Sequence, residues 1–270
     1  MVRRRAAPAL LLVVLGAPSV AALATAFVAA PPAAAASVSA HVAVSPSPNP
    51  AFAGDAPDPD VVYSGGTYYA FTTGTQLGNH LQALVDTSGS PAGGWASYTG
   101  HSYGSTALPS APSWEQPDTQ TSPGVMYYGG HWVMFYDASQ AGHPEDSGYS
   151  CISVATATSL TPTSPVFHDG STGPITCGTP GVGVLDPSPF VDPSGHAYLL
   201  WKSNDGSSSA ASQVFSAPLD PTGTALAGPP TVLLTVDQPQ HPWETTTDDP
   251  QMVFADGTYE LLFSAGNFTD

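Results

Sequence analysis

The chain has 270 residues, of which 21 are acidic and four are basic, and its formal net charge at pH 7 is −17. Three of the basic residues are arginines within the first five positions, so that beyond them 21 acids face Lys202 alone and the net charge becomes −20. This surface repels polyanions, which excludes nucleic acid as a partner, and the lack of any later arginine argues against phosphorylated substrates.

The amino terminus has the layout of a secretory signal peptide. Three arginines precede a long apolar stretch, which a run of small residues follows. We predict a signal peptide over residues 1–36 with cleavage after Ala36, or alternatively after Ala40, and a secreted, extracellular mature chain that has no membrane segment. An uncleaved membrane anchor is the competing interpretation, which Gly16 and Pro18 disfavour because they interrupt the apolar run.

Four later segments share one shape, in which a proline follows a polar residue and two β-rich runs flank a glycine turn. In chain order they are DPDVVYSGGTYYAFTT, SPGVMYYGGHWVMFYDA, DPSPFVDPSGHAYLLWKS and DPQMVFADGTYELLFSA. Their prolines are separated by 64, 64 and 63 residues, at Pro59, Pro123, Pro187 and Pro250. A hairpin repeated at this period predicts an all-β fold built as a β-propeller, because about 64 residues can hold a four-stranded blade. A β-sandwich is the alternative, although a sandwich does not require equal spacing of its hairpins.

The last hairpin runs almost to Asp270, which leaves no room for the outer strands of a fourth blade. We therefore expect residues 37–270 to form one propeller domain that is incomplete at its carboxyl end, with about four blades represented. A monomer is the expected state, and an open blade edge predicts poor solubility.

The chain has two cysteines, Cys151 and Cys177. An even number of cysteines in an exported protein favours a disulfide. The alternative is a metal-binding or catalytic thiol pair, but the two residues lack CxxC spacing and no histidine cluster lies near them.

Aspartates precede the proline in three of the four repeats, at Asp58, Asp186 and Asp249, whereas the second repeat has Ser122. Equivalent positions at the start of inner strands face the axis of a propeller, so these acids are expected to converge. Converging carboxylates raise at least one pKa, and cleavage of a glycosidic bond uses one carboxylic acid and one carboxylate. Asp-Pro is also an ordinary turn dipeptide, but its recurrence at the same position of three repeats favours a functional role.

Three of these segments resemble the motifs of glycoside hydrolase family 43, in the same order. GDAPDPDVVYSGGTYYAFTT resembles the opening motif, GVLDPSPFVDPSGHAYLLWKSNDG the central one, and DDPQMVFADGTYELLFSAGNF the third, which is usually written around Glu-x-Pro. The resemblance covers most of the chain and implies a five-bladed propeller that hydrolyses glycosides by inversion. It also implies that Asp58 is the general base that activates water, and that Asp186 is the third carboxylate, which orients the acid and tunes its pKa.

The general acid has two candidates. The family places a glutamate two residues before the proline of the third motif, and Asp248, one methylene shorter, stands there. Glu244 lies directly before the motif and competes for the role.

Aromatic residues near the motifs are predicted to stack on sugar rings, which suits a neutral saccharide partner. These candidates are Trp114, Phe190 and Trp243. Aromatic residues within the hairpins, such as Tyr69, Phe135 and Trp201, are instead predicted to pack between blades. The resemblance implies no required cofactor, although many members carry a calcium ion on the axis with a histidine from the last blade.

The sequence therefore predicts an inverting glycosidase that acts on a neutral oligo- or polysaccharide of the arabinan or arabinoxylan type. The alternatives are a carbohydrate-binding propeller without catalysis and an inactive fragment. A propeller that cleaves sucrose or fructan is disfavoured, because the Asn-Asp-Pro-Asn opening of that type is absent.

Overall fold

The computed structural model describes residues 51–74, 81–99, 105–144, 147–203 and 211–266, and these residues form strands and turns without a helix. The predicted signal peptide, residues 1–36, lies outside the described residues. Within the described part of the chain, no helix has the length and hydropathy needed to cross a membrane.

Fifteen strands of the described residues form four antiparallel sheets. The first sheet contains β1 (Asp60–Ser64), β2 (Thr67–Thr73), β3 (Leu81–Asp86), β4 (Ala96–Ser97) and β5 (Ser105–Thr106). The second contains β6 (Thr121–Tyr128), β7 (His131–Ser139), β8 (Ser150–Ala157) and β9 (Thr176–Cys177). The third contains β10 (Val184–Val191), β11 (Ala197–Ser203), β12 (Gln213–Pro218) and β13 (Thr231–Thr235). The fourth contains β14 (Thr247–Ala255) and β15 (Thr258–Ala265).

Each predicted hairpin forms the first two strands of one sheet, and the sheets follow one another around a common centre. Strand β6 contacts β1 and β2, β10 contacts β6, and β14 contacts β10. The all-β propeller predicted from the repeat is confirmed, with four blades represented in the described residues.

Side chains that alternate along β7 fill the cores on both sides of the second blade. Met134 and Tyr136 pack with Phe71 of the first blade, whereas Phe135 packs with Trp201 of the third. Successive side chains of a strand point to opposite faces, so one strand of the right pattern serves two inter-blade cores. The expectation that Phe135 and Trp201 pack between blades is confirmed, as it is for Tyr69 in the first core.

The turn of the fourth hairpin shows why the repeat carries glycine at that point. Asp256 and Gly257 both have positive φ angles, of 49° and 80°. A two-residue hairpin loop of this kind matches the right-handed twist of the strands and requires positive φ at both positions, where glycine and aspartate are tolerated.

The predicted disulfide is confirmed. Cys151 of β8 is bonded to Cys177 of β9, 26 residues later, and the two residues are also cross-strand partners. The bond joins the short outer strand of the second blade to the rest of its sheet.

Candidate functional site

The residue before the proline adopts the same unusual backbone conformation in all four repeats. The φ angles are 50° at Asp58, 51° at Ser122, 55° at Asp186 and 48° at Asp249. In the second, third and fourth blades this residue and its proline interrupt the register between the first two strands as a bulge. Proline has no N–H group to contribute to the hydrogen bonds between strands, and a bulge changes the direction of the neighbouring side chain. The sequence X-Pro therefore turns these side chains away from their own sheets.

These four positions surround one cavity of about 250 Å³, which we call the axial cavity. It is lined by the four X-Pro dipeptides and by residues of the strands that follow them. Asp58, Asp186 and Asp249 all border it. The expectation that carboxylates from separate blades converge therefore agrees with the structure.

Hydrogen bonds that cross blade boundaries connect these positions in sequence. The Ser122 amide donates to Thr73 Oγ1 at 2.9 Å, and the Asp249 amide donates to Asp186 Oδ2 at 3.0 Å. Thr73 Oγ1 in turn donates to Asp58 Oδ2 at 2.5 Å. The orientation of each site residue is therefore coupled to the neighbouring blade.

Asp137 is a site residue that the sequence analysis missed. The residue is 1% exposed. Its carboxyl group accepts a hydrogen bond from the Asp186 amide at 3.1 Å and another from Thr121 Oγ1 at 2.5 Å. Asp137 also borders a second cavity of about 270 Å³, the hydroxyl-lined pocket, which shares Asp58 and Ser122 with the axial cavity. The remaining residues that border this pocket are mostly hydroxylic or apolar: Pro57, Thr73, Thr119, Thr121, Ser139, Ser150 and Leu185.

Lys202 brings a positive charge into this acidic centre. Its Nζ forms a contact ion pair with Asp248 Oδ1 and lies 3.8 Å from Asp186 Oδ2. The lysine is buried, and a buried ammonium group is stable when carboxylates compensate its charge. Lys202 pairs across the hairpin with Leu185, the residue before Asp186, just as Asp137 pairs with the residue before Ser122.

Three carboxyl groups of the centre, those of Asp186, Asp249 and Asp137, have raised pKa values. Burial raises the pKa of Asp186, an effect that the Lys202 ammonium opposes. Partial burial of the carboxyl group, followed by the charges of Asp186 and Asp58, raises the pKa of Asp249 to about 6. Burial and then the Asp186 charge raise the pKa of Asp137 well above its usual range. Raised pKa values that arise from burial and like charge within one cavity are typical of acid–base sites.

Asp60 adds a further buried carboxyl group to the axial cavity. Its Oδ2 accepts a hydrogen bond from the Val125 amide at 2.5 Å, and burial raises the pKa of Asp60 to about 6. It follows the first Asp-Pro directly in the sequence, and this DPD pattern was the available signal for it.

The chain matches the model of a known protein family, and this match agrees with a cluster of carboxylates at the centre of a β-propeller. The profile described as Glycosyl hydrolases family 43 matches residues 47–270. The chain belongs to glycosyl hydrolase family 43.

Solved structures agree with this assignment at the level of the fold. A thermostable family-43 glycoside hydrolase is 20% identical, with a TM-score of 0.62 over 79% of this chain and 64% of that one. An endo-arabinase from Bacteroides thetaiotaomicron is 21% identical, with a TM-score of 0.61 over 82% and 73%. A family-43 β-1,3-galactosidase bound to galactodeoxynojirimycin is 16% identical, with a TM-score of 0.59 over 80% and 70%. No curated protein matches the chain.

The chain spans 64% of the length of the thermostable hydrolase and 73% of that of the endo-arabinase. These relatives are less than 25% identical to it, so they establish the shared fold.

The two candidates for the general acid occupy different surroundings. Asp248 forms an ion pair with Lys202 and directly precedes Asp249, which borders the axial cavity. Glu244 is buried in the loop between β13 and β14, where its Oε2 accepts a hydrogen bond from the Asp237 amide at 3.0 Å and its Oε1 lies 3.5 Å from His241 Nδ1. The residues that line the axial cavity include neither Asp248 nor Glu244.

The structure does not bring the three predicted aromatic residues to the carboxylates. Trp114 is half-buried and donates from Nε1 to Ser171 Oγ at 3.0 Å. Phe190 lines an apolar cavity between the third and fourth blades and packs against Tyr259, with 5.9 Å between ring centroids. Trp243 is 57% exposed in the loop that holds Glu244. Sugar stacking by these residues stays a prediction.

Among the residues that the structure describes, no group of three or more His, Cys, Asp or Glu side chains is arranged to hold a metal ion. The calcium ion that is common in family 43 therefore stays a prediction for this chain.

Proposed function

We propose that this family-43 protein hydrolyses glycosidic bonds of a neutral polysaccharide by inversion at the anomeric carbon. The observation that carries the proposal is the convergence of Asp58, Asp186 and Asp249 from three blades on one cavity. Cleavage by inversion needs a carboxylate that activates water on one side of the sugar and a carboxylic acid on the other.

Asp58 is the proposed general base. It borders both cavities, and Thr73 Oγ1 fixes one of its carboxylate oxygens by a hydrogen bond. The other oxygen accepts a proton from the attacking water. Asp186 acts as the third carboxylate, because it accepts the amide of Asp249 and lies close to Lys202, and thus links the groups of the third and fourth blades.

The substrate class follows from charge and from the lining of the site. Beyond residue 5 the chain carries a single basic residue, Lys202, which pairs with carboxylates and is not available to an anionic substrate. The hydroxyl-lined pocket next to Asp58 offers donors and acceptors that suit a neutral, hydroxyl-rich sugar. Because endo-arabinase and arabinanase structures are among those with the same fold, we propose arabinan or arabinoxylan as the polymer.

The experiment compares the wild type with Asp58→Asn on arabinan, arabinoxylan, xylan and β-1,3-galactan, with release of reducing sugar as the readout. The anomer formed first, followed by proton NMR, reports inversion. We expect the substitution to lower kcat by about 10²- to 10⁴-fold, because it removes the base. Asp220→Asn is the matched control, since Asp220 caps a loop after β12, away from both cavities, and should leave kcat unchanged.

A carbohydrate-binding propeller without catalysis is the second candidate, which the ion pair of Asp248 with Lys202 favours, because it occupies the carboxyl group at the family's acid position. Affinity electrophoresis on the same polymers separates the two functions. Retardation of both the wild type and Asp58→Asn without any release of sugar would contradict the hydrolase proposal and support the binding protein.

We also propose that the protein is secreted and acts as a monomer outside the cell. The disulfide between Cys151 and Cys177 supports export, because such bonds persist in oxidising compartments. Amino-terminal sequencing of the protein recovered from culture medium tests cleavage after Ala36.

A further inference from the structure

The fourth blade presents two adjacent aspartates to the centre, and they differ in what their carboxyl groups contact. Asp249 occupies the same repeat position as Asp58 and Asp186, with the same left-handed backbone, and borders the axial cavity with them. Asp248 lies one residue earlier and pairs in register with Ser264 of β15. The bulge at Asp249 and Pro250 separates the directions of the two side chains.

Asp248 is engaged by the strongest partner that the centre offers. Its Oδ1 is in direct contact with the ammonium group of Lys202, a residue that is 6% exposed. Protonating Asp248 would remove the negative charge in direct contact with this buried ammonium, whereas Asp186 Oδ2 lies farther away, at 3.8 Å. A group that must carry and release a proton in each cycle is poorly placed in such a contact pair.

Glu244 is engaged in closing its own loop. It accepts the amide of Asp237 and lies beside His241, both within seven residues of it in the chain. Its carboxyl group satisfies the local backbone, which is the ordinary role of a buried acid in a loop.

Asp249 has the surroundings that a proton donor needs. Asp186 accepts its backbone amide at 3.0 Å and thereby fixes its position against the third blade. The pKa of Asp249 is raised to about 6, first by partial burial of its carboxyl group and then by the negative charges of Asp186 and Asp58. The residue is exposed to solvent, so a bound saccharide and water can both reach it.

We propose that Asp249, and not Asp248 or Glu244, donates the proton to the leaving group, and that Asp248 serves to hold Lys202. This assignment rests on the hydrolase function proposed above. The Asp249 carboxylic acid gives its proton to the glycosidic oxygen while the bond from that oxygen to the anomeric carbon breaks, and the bonding electron pair stays on the oxygen. The oxygen of water forms the new bond to the anomeric carbon, and Asp58 accepts the proton that this water loses. Transfer of one proton from Asp58 to Asp249 through solvent restores both groups.

The test uses the dependence of the rate on the leaving group. Asp249→Asn and Asp248→Asn are compared with the wild type on the polymer, and on the phenyl and 2,4-dinitrophenyl glycosides of the mono- or disaccharide that the wild type releases. The dinitrophenolate leaves without protonation, so loss of the acid slows the phenyl glycoside selectively. We expect Asp249→Asn to lower kcat/KM on the polymer and on the phenyl glycoside by about 10²- to 10⁴-fold, but on the dinitrophenyl glycoside by less than about tenfold.

Asp248→Asn should slow both aryl glycosides by the same factor, because it disturbs Lys202 and not the proton transfer. Asp256→Asn is the matched control, since Asp256 is another aspartate of the fourth blade with positive φ and lies in an exposed turn. Asparagine tolerates that conformation, and the control should behave as the wild type does. Thermal unfolding of each variant verifies that the blade stays folded.

A selective loss on the phenyl glycoside in Asp248→Asn, with none in Asp249→Asn, would overturn the assignment and leave the hydrolase function intact. Equal loss on both aryl glycosides in Asp249→Asn would overturn it as well. If the wild type releases no sugar from any polymer, the hydrolase function itself fails, and the assignment of the acid fails with it.

Discussion

Asp186 Oδ2 accepts the backbone amide of Asp249 at 3.0 Å, across the boundary between the third and fourth blades. The same relation occurs one blade earlier, where Asp137 Oδ1 accepts the amide of Asp186 at 3.1 Å. Asp186 and Asp249 therefore do not sit independently on their own strands, because the backbone amide of each is held by a carboxyl group of the preceding blade. A change in one blade is expected to propagate to the site residue of the next.

Asp137 provides a direct test of this coupling. Asp137→Ala removes the acceptor for the Asp186 amide, and a shift of about 1 Å in a site residue can lower kcat by about 100-fold. Asp137→Asn should retain most of the activity, because its amide oxygen can still accept from Asp186 while its NH₂ group donates to Thr121 Oγ1. Burial and the Asp186 charge also raise the pKa of Asp137 well above its usual range, which favours the neutral form that the amide resembles.

The measurement is kcat and KM for both variants on the polymer that the wild type cleaves. Asp220→Ala is the control, because it also removes a carboxylate that accepts backbone amides, from Thr224 and Ala225, but in a loop away from both cavities. It should lower stability without lowering kcat. A kcat for Asp137→Asn as low as that for Asp137→Ala would show that the charge of Asp137, rather than its position as an acceptor, is what the site uses.

The recurrence of an aspartate at the same position of the repeat predicted that Asp58 and Asp186 lie near the axis, because equivalent residues of successive blades face it. Asp137 and Lys202 also share a repeat position, near the end of the second strand of their blades. Their residue types were visible in the sequence. Their partners were not, since the way adjacent sheets pack determines which backbone amide or carboxylate each side chain meets.

Proximity in the chain to the motifs does not bring Glu244 or Phe190 to the axial cavity. Glu244 directly precedes the third motif, but its loop folds back so that it accepts the amide of Asp237. Phe190 lies within the central motif, four residues after Asp186, yet it packs towards Tyr259 of the fourth blade and not towards the axis. A loop or strand that reverses direction within a few residues separates neighbours in sequence, and no periodicity in the sequence reports it.

Glu115 makes the stability of the second blade dependent on pH. Tyr136 Oη lies 2.8 Å from Glu115 Oε1 and 2.7 Å from Asp169 Oδ2. A phenol has one proton to donate, so both hydrogen bonds form only when one of the two carboxyl groups is protonated. Ser153 Oγ and the Ser171 amide already donate to Asp169, so we assign the proton to Glu115.

Burial raises the pKa of Glu115 from 4.5 to about 7. Between these two values the unfolded chain loses this proton while the folded chain keeps it, so the free energy of unfolding falls as pH rises. A shift of this size corresponds to a loss on the order of 3 kcal/mol across the window, and the contribution is fully present below pH 4.5. Glu115→Gln should remove this dependence, because its amide can donate to Tyr136 and accept from Gln120 as the protonated acid does.

Urea unfolding at pH 4.5, 6 and 8 measures the effect. Glu115→Gln should be more stable than the wild type at pH 8 and similar to it at pH 4.5. Glu260→Gln, an exposed position on β15, is the control and should follow the wild type at every pH. An unfolding free energy of Glu115→Gln that falls with pH in parallel with the wild type would refute the proton assignment.

The closeness of the second and third blades depends on Gly124. A Cβ atom at this position would lie 2.3 Å from the carbonyl oxygen of Pro187 and 2.7 Å from Cδ of Pro189, so Ala cannot be accommodated without moving β6 away from β10. Overpacking of this kind typically lowers the free energy of unfolding by about 1–3 kcal/mol. Because Pro187 directly follows Asp186, the same displacement moves Asp186 relative to Asp58, and we expect kcat to fall in the fraction of Gly124→Ala that stays folded.

Gly170→Ala is the matched control, since a Cβ there meets no atom within 4 Å. Urea unfolding and kcat are measured for both variants, and a Gly124→Ala protein with the stability and kcat of the wild type would mean that the two blades can separate without disturbing the centre.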